Sequence, residues 1–250
     1  MLRQFLLAVQ FLTRLPVPNR LATTEEELGR AAAFFPLVGI IVGGSTAVVY
    51  LLALRVVSVW VAVPIALAFA AFLTGGFHED GLADTFDGLG GGWTRERALE
   101  IMRDSRIGTY GALALIFLVL GKYTILTELG SEQVWRWLIV AHAASRWTVL
   151  PLCRWLPYAR PEGQGKLVAK QITVSALIIG SLTFLLTLLL FSWRTALIAV
   201  VVTIVVTVFS GLYYKRRLGG ITGDCLGATN QITELLLYLT AHVLYRFNCC

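Results

Sequence analysis

VSVWVAVPIALAFAAFLTGGFHEDGLADTFDG, residues 57–88, holds the reading that decides the fold. Residues 57–76 carry no charge, and a helix crossing a bilayer core needs about 17–25 largely apolar residues. Hydrocarbon offers open backbone groups no partner, so such a run crosses as a helix. Six more runs extend the pattern on both sides, at about 31–54, 107–127, 134–152, 172–191, 195–213 and 228–247. Two of them are less apolar: 107–127 carries Lys122, and 228–247 opens with Thr229, Asn230, Gln231, Thr233 and Glu234. The chain is 57% hydrophobic and only 14% charged, against about 25% charged in soluble domains. The short alternating segments of an outer-membrane barrel are missing. The expected fold is an all-α, polytopic transmembrane helical bundle of about seven spans, one domain over residues 1–250.

Met1 to Leu15 reads as an amphipathic helix with Phe5, Ala8, Val9 and Leu12 on one side, ended by Pro16-Val17-Pro18. It either lies in the membrane interface or caps the bundle. The first thirty residues lack the alanine-rich cleavage site of a signal peptide. With the N-terminus in the cytoplasm, fifteen basic residues fall inside and five outside, the latter being Arg55, Lys122, Arg136, Arg194 and Arg246. That bias follows the positive-inside rule. It assigns the net charge of +6 to orientation in the lipid bilayer. It also puts residues 77–106 and 212–227 on the cytoplasmic side. The basic residues are dispersed over four loops, which excludes a nucleic-acid stripe. Cys153, Cys225, Cys249 and Cys250 have no zinc or thioredoxin spacing. The first two fall on the reducing side, where a structural disulfide is not expected, and the Cys249-Cys250 end matches no prenylation pattern.

Four of the fifteen acidic residues, Glu79, Asp80, Asp84 and Asp87, sit within nine positions. On a helix Asp80, Asp84 and Asp87 share one face. Like charges beside hydrocarbon repel and are costly unless compensated, and a divalent cation compensates them. Magnesium takes one or two carboxylates together with substrate phosphates. Glu79 lies off the aspartate face, either as a further ligand or paired with an arginine. His78 is either a general base or a satisfied interfacial residue. Gly81 and Gly88 leave room for a ligand or a second helix at the backbone. A solvated acidic loop and a cation pathway are the competing readings.

Two companion stretches carry complementary chemistry. In Arg103-Asp104-Ser105-Arg106, the arginines can converge on phosphate oxygens, and Asp104 can complete a metal shell or orient an arginine. Arg146 lies within a span, where a charge faces a polar interior or a ligand; it is expected to serve the site as a catalytic residue, the alternative being an interhelical pair, for which Glu234 is one partner. In Gly219 to Asn230, backbone amides around Gly223 can bind anionic oxygens, and Asp224 can bind metal or orient an acceptor hydroxyl. No Gly-Lys-Ser or Gly-Lys-Thr follows, so this is not a P-loop. Together these residues point to joining an alcohol to a diphosphate-activated partner, by positioning and electrostatics.

The same stretches carry a family resemblance. Phe11 to Pro16, Gly29-Arg30 to Gly39, GGFHEDGLADTFDG at 75–88, RDSRIGTYG at 103–111 and GGITGDCLGATNQ at 219–231 resemble the cobalamin synthase family of adenosylcobinamide-GDP ribazoletransferases, in the same order over nearly the whole chain. The resemblance implies transfer of the adenosylcobinamide-phosphate part of adenosylcobinamide-GDP to alpha-ribazole or alpha-ribazole 5'-phosphate, with release of GMP. It implies magnesium as cofactor and the cytoplasmic membrane as location. It maps the acidic motif onto Asp80, Asp84 and Asp87, the arginine motif onto Arg103, Asp104 and Arg106, and the glycine–aspartate motif onto Gly223 and Asp224. A homo-oligomer and contacts with other cobamide-pathway enzymes stay open. A CDP-alcohol phosphotransferase is the nearest alternative, but Asp84 stands where that signature has arginine. A cation-coupled transporter is the non-enzyme alternative.

Overall fold

The computed structural model describes residues 1–17, 24–160 and 172–247; Pro18, Cys249 and Cys250 lie outside them, as do Arg20, Lys166 and Lys170, three of the fifteen basic residues counted on the inner side. The elements are helices: α1 (Leu2–Leu12), α2 (Glu25–Ala31), α3 (Phe35–Ala53), α4 (Val59–Thr74), α5 (Phe77–Gly91) and α6 (Arg95–Ile101). There follow α7 (Thr109–Glu128), α8 (Ser131–Trp147), α9 (Val149–Trp155), α10 (Val174–Thr187), α11 (Trp193–Leu218) and α12 (Gly223–Arg246). Among the described residues the only sheet-like pairing is an isolated parallel bridge between Tyr158 and Ile221.

All seven expected spans fall on helices, but they are not equal. Glu26–Ala53, α7 and α11 are long and apolar enough to cross a membrane; α4 qualifies only together with α5, from which it is bent by 88°. The other three regions depart from the expectation for physical reasons. Val174–Leu190 is apolar but short. α8 ends at Trp147 and carries Arg146. α12 buries Thr229, Asn230, Gln231, Thr233 and Glu234 inside the bundle. Polar groups turned toward neighbouring helices lower a segment's hydropathy without being presented to lipid.

α1 caps the bundle. Leu7, Ala8, Val9 and Leu12 are buried, and Phe11 stacks on Phe35 with ring centroids 5.8 Å apart. The chain beyond α1 then reaches the end of α4, where the Arg14 amide donates to Leu73 O at 2.8 Å. There Gly75 (φ +75°) and Gly76 (φ +69°) are both left-handed, a conformation glycine adopts without steric cost. The Gly76 amide closes back on Ala71 O at 2.8 Å. The two glycines make the 88° elbow, so α5 leaves the spanning direction and lies across the end of the bundle.

α3 and α8 cross without side chains between them. A β-carbon on Gly39 would lie 2.8 Å from Ala143 Cα, and one on Gly43 2.8 Å from Ile139 Cα. Small residues four apart allow this approach in a membrane, where packing must replace the hydrophobic drive. Gly44, by contrast, has open space beside it. We expect Gly39→Leu to lower the unfolding temperature of the purified protein, by the about 1–3 kcal/mol that overpacking costs. Gly44→Ala should leave it unchanged or raised.

Candidate active site

α5 and α12 meet backbone to backbone. A β-carbon on Gly81 would lie 2.9 Å from Asp224 O and 3.3 Å from Gly227 Cα; one on Gly227 would lie 3.2 Å from His78 O. Gly81, where a ligand or a second helix was expected at the backbone, is the contact itself. Gly223 begins α12 behind Thr222, whose hydroxyl accepts from the Cys225 amide at 3.2 Å. The crossing brings Asp224 to Asp80 and Asp84. Burial, then Asp224 and Asp80, push the Asp84 carboxyl up to about 7. Burial also raises Asp224, against the opposing pull of Arg160 and Thr222.

Arg160 arrives from the segment after α9. Ala159 N donates to Ile221 O at 2.8 Å and Ile221 N to Pro157 O at 2.9 Å. Arg95 of α6 ties the same corner, donating through Nε to Leu218 O at 2.7 Å and through Nη2 to Ala159 O at 3.1 Å. Held this way, Arg160 Nη2 stands 2.8 Å from Asp224 Oδ2, and its buried Nε has no hydrogen-bond partner. Sequence reading counted Arg160 only as an orientation charge. No spacing marked it, because its partner is 64 residues away in the chain.

The other expected site residues lie elsewhere. Asp87 is buried, and both its oxygens are taken by the start of α7: Gly108 N donates to Oδ2 at 2.7 Å and Gly111 N to Oδ1 at 2.8 Å. A carboxylate there satisfies orphan amides and favours the helix dipole. The i, i+4, i+7 face therefore divides, Asp80 and Asp84 toward Asp224 and Asp87 toward α7. Asp104, expected in the metal shell, pairs on the surface with Arg106, Nη2 to Oδ2 at 2.6 Å. Those hydrogen bonds hold its carboxyl down at about 2. Asp104 and Arg106 line an open groove of about 620 Å³ beside Asp87, and Arg103 is exposed. His78, 4% exposed, packs against Phe77, ring centroids 5.5 Å apart. Its Nδ1 has no partner.

Glu79 and Arg146 belong to a different cluster. Adjacent helix positions diverge by about 100°, so while Asp80 faces the carboxylates, Glu79 faces into the bundle and accepts from Gln231 Nε2 at 3.1 Å. Arg146, 1% exposed, pairs across helices: Nη1 donates to Glu234 Oε1 at 3.1 Å. His142 Nδ1 is 2.9 Å from the same oxygen. Lys122 Nζ is 2.7 Å from Glu234 Oε2 and also donates to Gln231. Lys122, placed outside by the sequence reading, is thus an internal charge of α7. A lysine within an apolar run was the signal for it.

Among the described residues no three of the His, Cys, Asp and Glu side chains converge to hold one metal ion. Cys153 and Cys225 are buried free thiols.

A family model described as Cobalamin-5-phosphate synthase matches residues 4–242. The chain is similar to the adenosylcobinamide-GDP ribazoletransferase of Vibrio cholerae serotype O1, 45% identical over 242 residues, 95% of this chain and 92% of the relative. Proteins of that name from Ralstonia nicotianae and Shewanella piezotolerans are 44% identical over 239 residues and 41% over 243. These alignments span 94% and 95% of this chain, and 93% and 94% of the relatives. No solved structure matches the chain.

Two aspartates three positions apart thus differ in kind. Asp87→Asn replaces one acceptor oxygen by a donor facing an amide. It should lower the unfolding temperature, by the roughly 1.5–3 kcal/mol of a charge-assisted hydrogen bond. Asp84→Asn removes a repelling charge and should not lower it; thermal unfolding of the two variants without added metal separates them.

Proposed function

The chain belongs to the cobalamin-5-phosphate synthase family, and on that premise we propose that it is an adenosylcobinamide-GDP ribazoletransferase. The reaction moves the adenosylcobinamide-phosphate moiety of adenosylcobinamide-GDP to alpha-ribazole or its 5'-phosphate. The acceptor hydroxyl oxygen bonds to the cobinamide-side phosphorus, the bond from that phosphorus to the bridging oxygen breaks, and GMP leaves with that oxygen. The family membership sets aside the CDP-alcohol phosphotransferase and transporter alternatives.

One observation carries the placement of this chemistry: α12 delivers Asp224, with Arg160 paired to it, to the Asp80 and Asp84 end of α5. Three carboxylates repelling one another at a membrane boundary have no packing role that apolar residues would not fill better. They are hard oxygen donors, and magnesium asks for only one or two such groups beside substrate phosphates. The donor chemistry therefore fits magnesium held by one or two of Asp80, Asp84 and Asp224, with substrate phosphates completing the shell. When bound, the ion would neutralise charge on the diphosphate. Arg160 then offers its guanidinium to the phosphoryl oxygens, and the acceptor's proton leaves to a carboxylate of the cluster. Asp87 holds α7, and with it Gly108 and Gly111, against α5.

We place this end of the bundle in the cytoplasm. Arg14, Arg95, Arg160 and Arg217 all bond at it. With Lys122 moved inside the bundle, the basic residues divide fifteen to four in favour of that side.

The test is incubation of the purified protein with magnesium, adenosylcobinamide-GDP and alpha-ribazole, with cobamide and GMP both measured. Equal, magnesium-dependent formation of the two is expected. Asp84→Asn and Arg160→Ala should each reduce turnover by roughly 100-fold while the protein stays folded in the membrane. Near-wild-type turnover in either variant removes that residue from the site.

A further inference from the structure

The Phe11 to Pro16 stretch brings a charge to the rim of the carboxylate site. Its rings and backbone fix where that charge goes. Phe11 stacks on Phe35 and meets Phe77 of α5 edge-on, with ring centroids 5.8 and 5.9 Å apart. Thr13 is buried, and the Arg14 amide is bonded to Leu73 O at the end of α4. Arg14 is thereby laid along the elbow between α4 and α5. Its Nη2 donates to Gly75 O at 3.5 Å, and a β-carbon on Gly75 would lie 2.5 Å from its Nε. Among the described residues no carboxylate pairs with it. The Asp80 amide donates to Gly76 O at 2.9 Å, so one helical turn, about 5.4 Å, separates the elbow from Asp80. Arg14 and Asp80 are both exposed. A β-carbon on Gly76, between them, would meet nothing within 4 Å.

We infer that Arg14 binds the 5'-phosphate of the acceptor and so selects alpha-ribazole 5'-phosphate over alpha-ribazole; the assignment rests on the transferase reading proposed above. The two phosphorus atoms of the donor share a bridging oxygen, so both fall together beside the carboxylates and Arg160. The one phosphate that a sugar holds apart from the reacting hydroxyl is the acceptor's. A guanidinium one turn from Asp80, with open space between, matches that separation. It enters by a different flank from Arg160, which arrives through Asp224 and the start of α12. A phosphate at the elbow would be repelled by Asp80 across that turn, and a cation closer to it than the carboxylate outweighs the repulsion. Arginine supplies that cation with a fork of donors suited to phosphate oxygens.

The experiment uses the full-length protein in nanodiscs and compares two acceptors that differ only in the 5'-phosphate. In the wild-type protein the KM for alpha-ribazole 5'-phosphate should be about a tenth of that for alpha-ribazole, or less. Arg14→Ala should erase this preference by raising the KM for the phosphorylated acceptor, with the KM for adenosylcobinamide-GDP unchanged. Arg14→Lys keeps the charge without the fork and should restore part of the preference. Should the alanine variant fail to fold, Arg14→Gln keeps a donor for Gly75 O, removes the charge and gives the same reading. Equilibrium dialysis of the two labelled acceptors without the donor should show the same preference without turnover. An equal rise for both acceptors makes Arg14 a pin for the elbow and overturns the assignment. An unchanged preference in a folded variant, or a rise confined to adenosylcobinamide-GDP, overturns it as well. Absence of cobamide and GMP from the wild-type protein with either acceptor fails the transferase reading instead, and the dialysis arm tells the two failures apart.

Discussion

Contact between the α5 and α12 backbones, with Gly81 against Asp224 and Gly227, is the constraint from which the rest of the site follows. Any side chain at Gly81 would push the helices apart, because its β-carbon would already lie 3.1 Å from Asp224 Cα. The distance from Asp224 to Asp80 and Asp84 is set there, as is the reach of Arg160. The anchoring of Arg160 follows the same logic. Its segment is tied to residues 218–221 by backbone bonds and by Arg95, so whatever fixes the start of α12 fixes the guanidinium too.

Beneath that contact, Glu234 gathers α7 and α8 onto α12, and Gln231 adds α5 through Glu79. Buried ion pairs seldom add net stability over apolar packing, but breaking one partner leaves an uncompensated charge that is expensive in hydrocarbon. The network thus penalises every helix rotation that would separate its members. It is better understood as setting register among four helices than as a store of stability.

Much of this was legible in the sequence, and what was not has physical causes. Helical periodicity placed Asp80, Asp84 and Asp87 on one face, and α5 is a helix over those residues. Periodicity describes only the element that carries it. It could not say that Asp87 looks toward the amides of Gly108 and Gly111 while Asp84 looks toward Asp224. Arg103, Asp104 and Arg106 were grouped with the aspartates by residue type, yet Asp104 and Arg106 satisfy each other locally at the surface. Arg146 was expected to serve the site, with an interhelical pair as the alternative, and it pairs with Glu234 inside the bundle. Arg160 gave no signal, since its role depends on a bridge between Tyr158 and Ile221 that joins distant parts of the chain. Of the two runs marked as less apolar, 107–127 is long and apolar enough to cross while 228–247 is not, because hydropathy counts polar residues without regard to whether they face lipid or another helix.

The 88° turn at Gly75 and Gly76 has a consequence for solvent. By lying flat where α4 stops, α5 becomes a shelf between two media. Asp80, on its outer side, is exposed, while Glu79, one residue earlier, turns to the interior and Gln231. Two successive carboxylates of one helix thus sit in different dielectrics, one solvated and one paired inside the bundle, so a one-residue step along α5 changes a charge's medium as well as its partner.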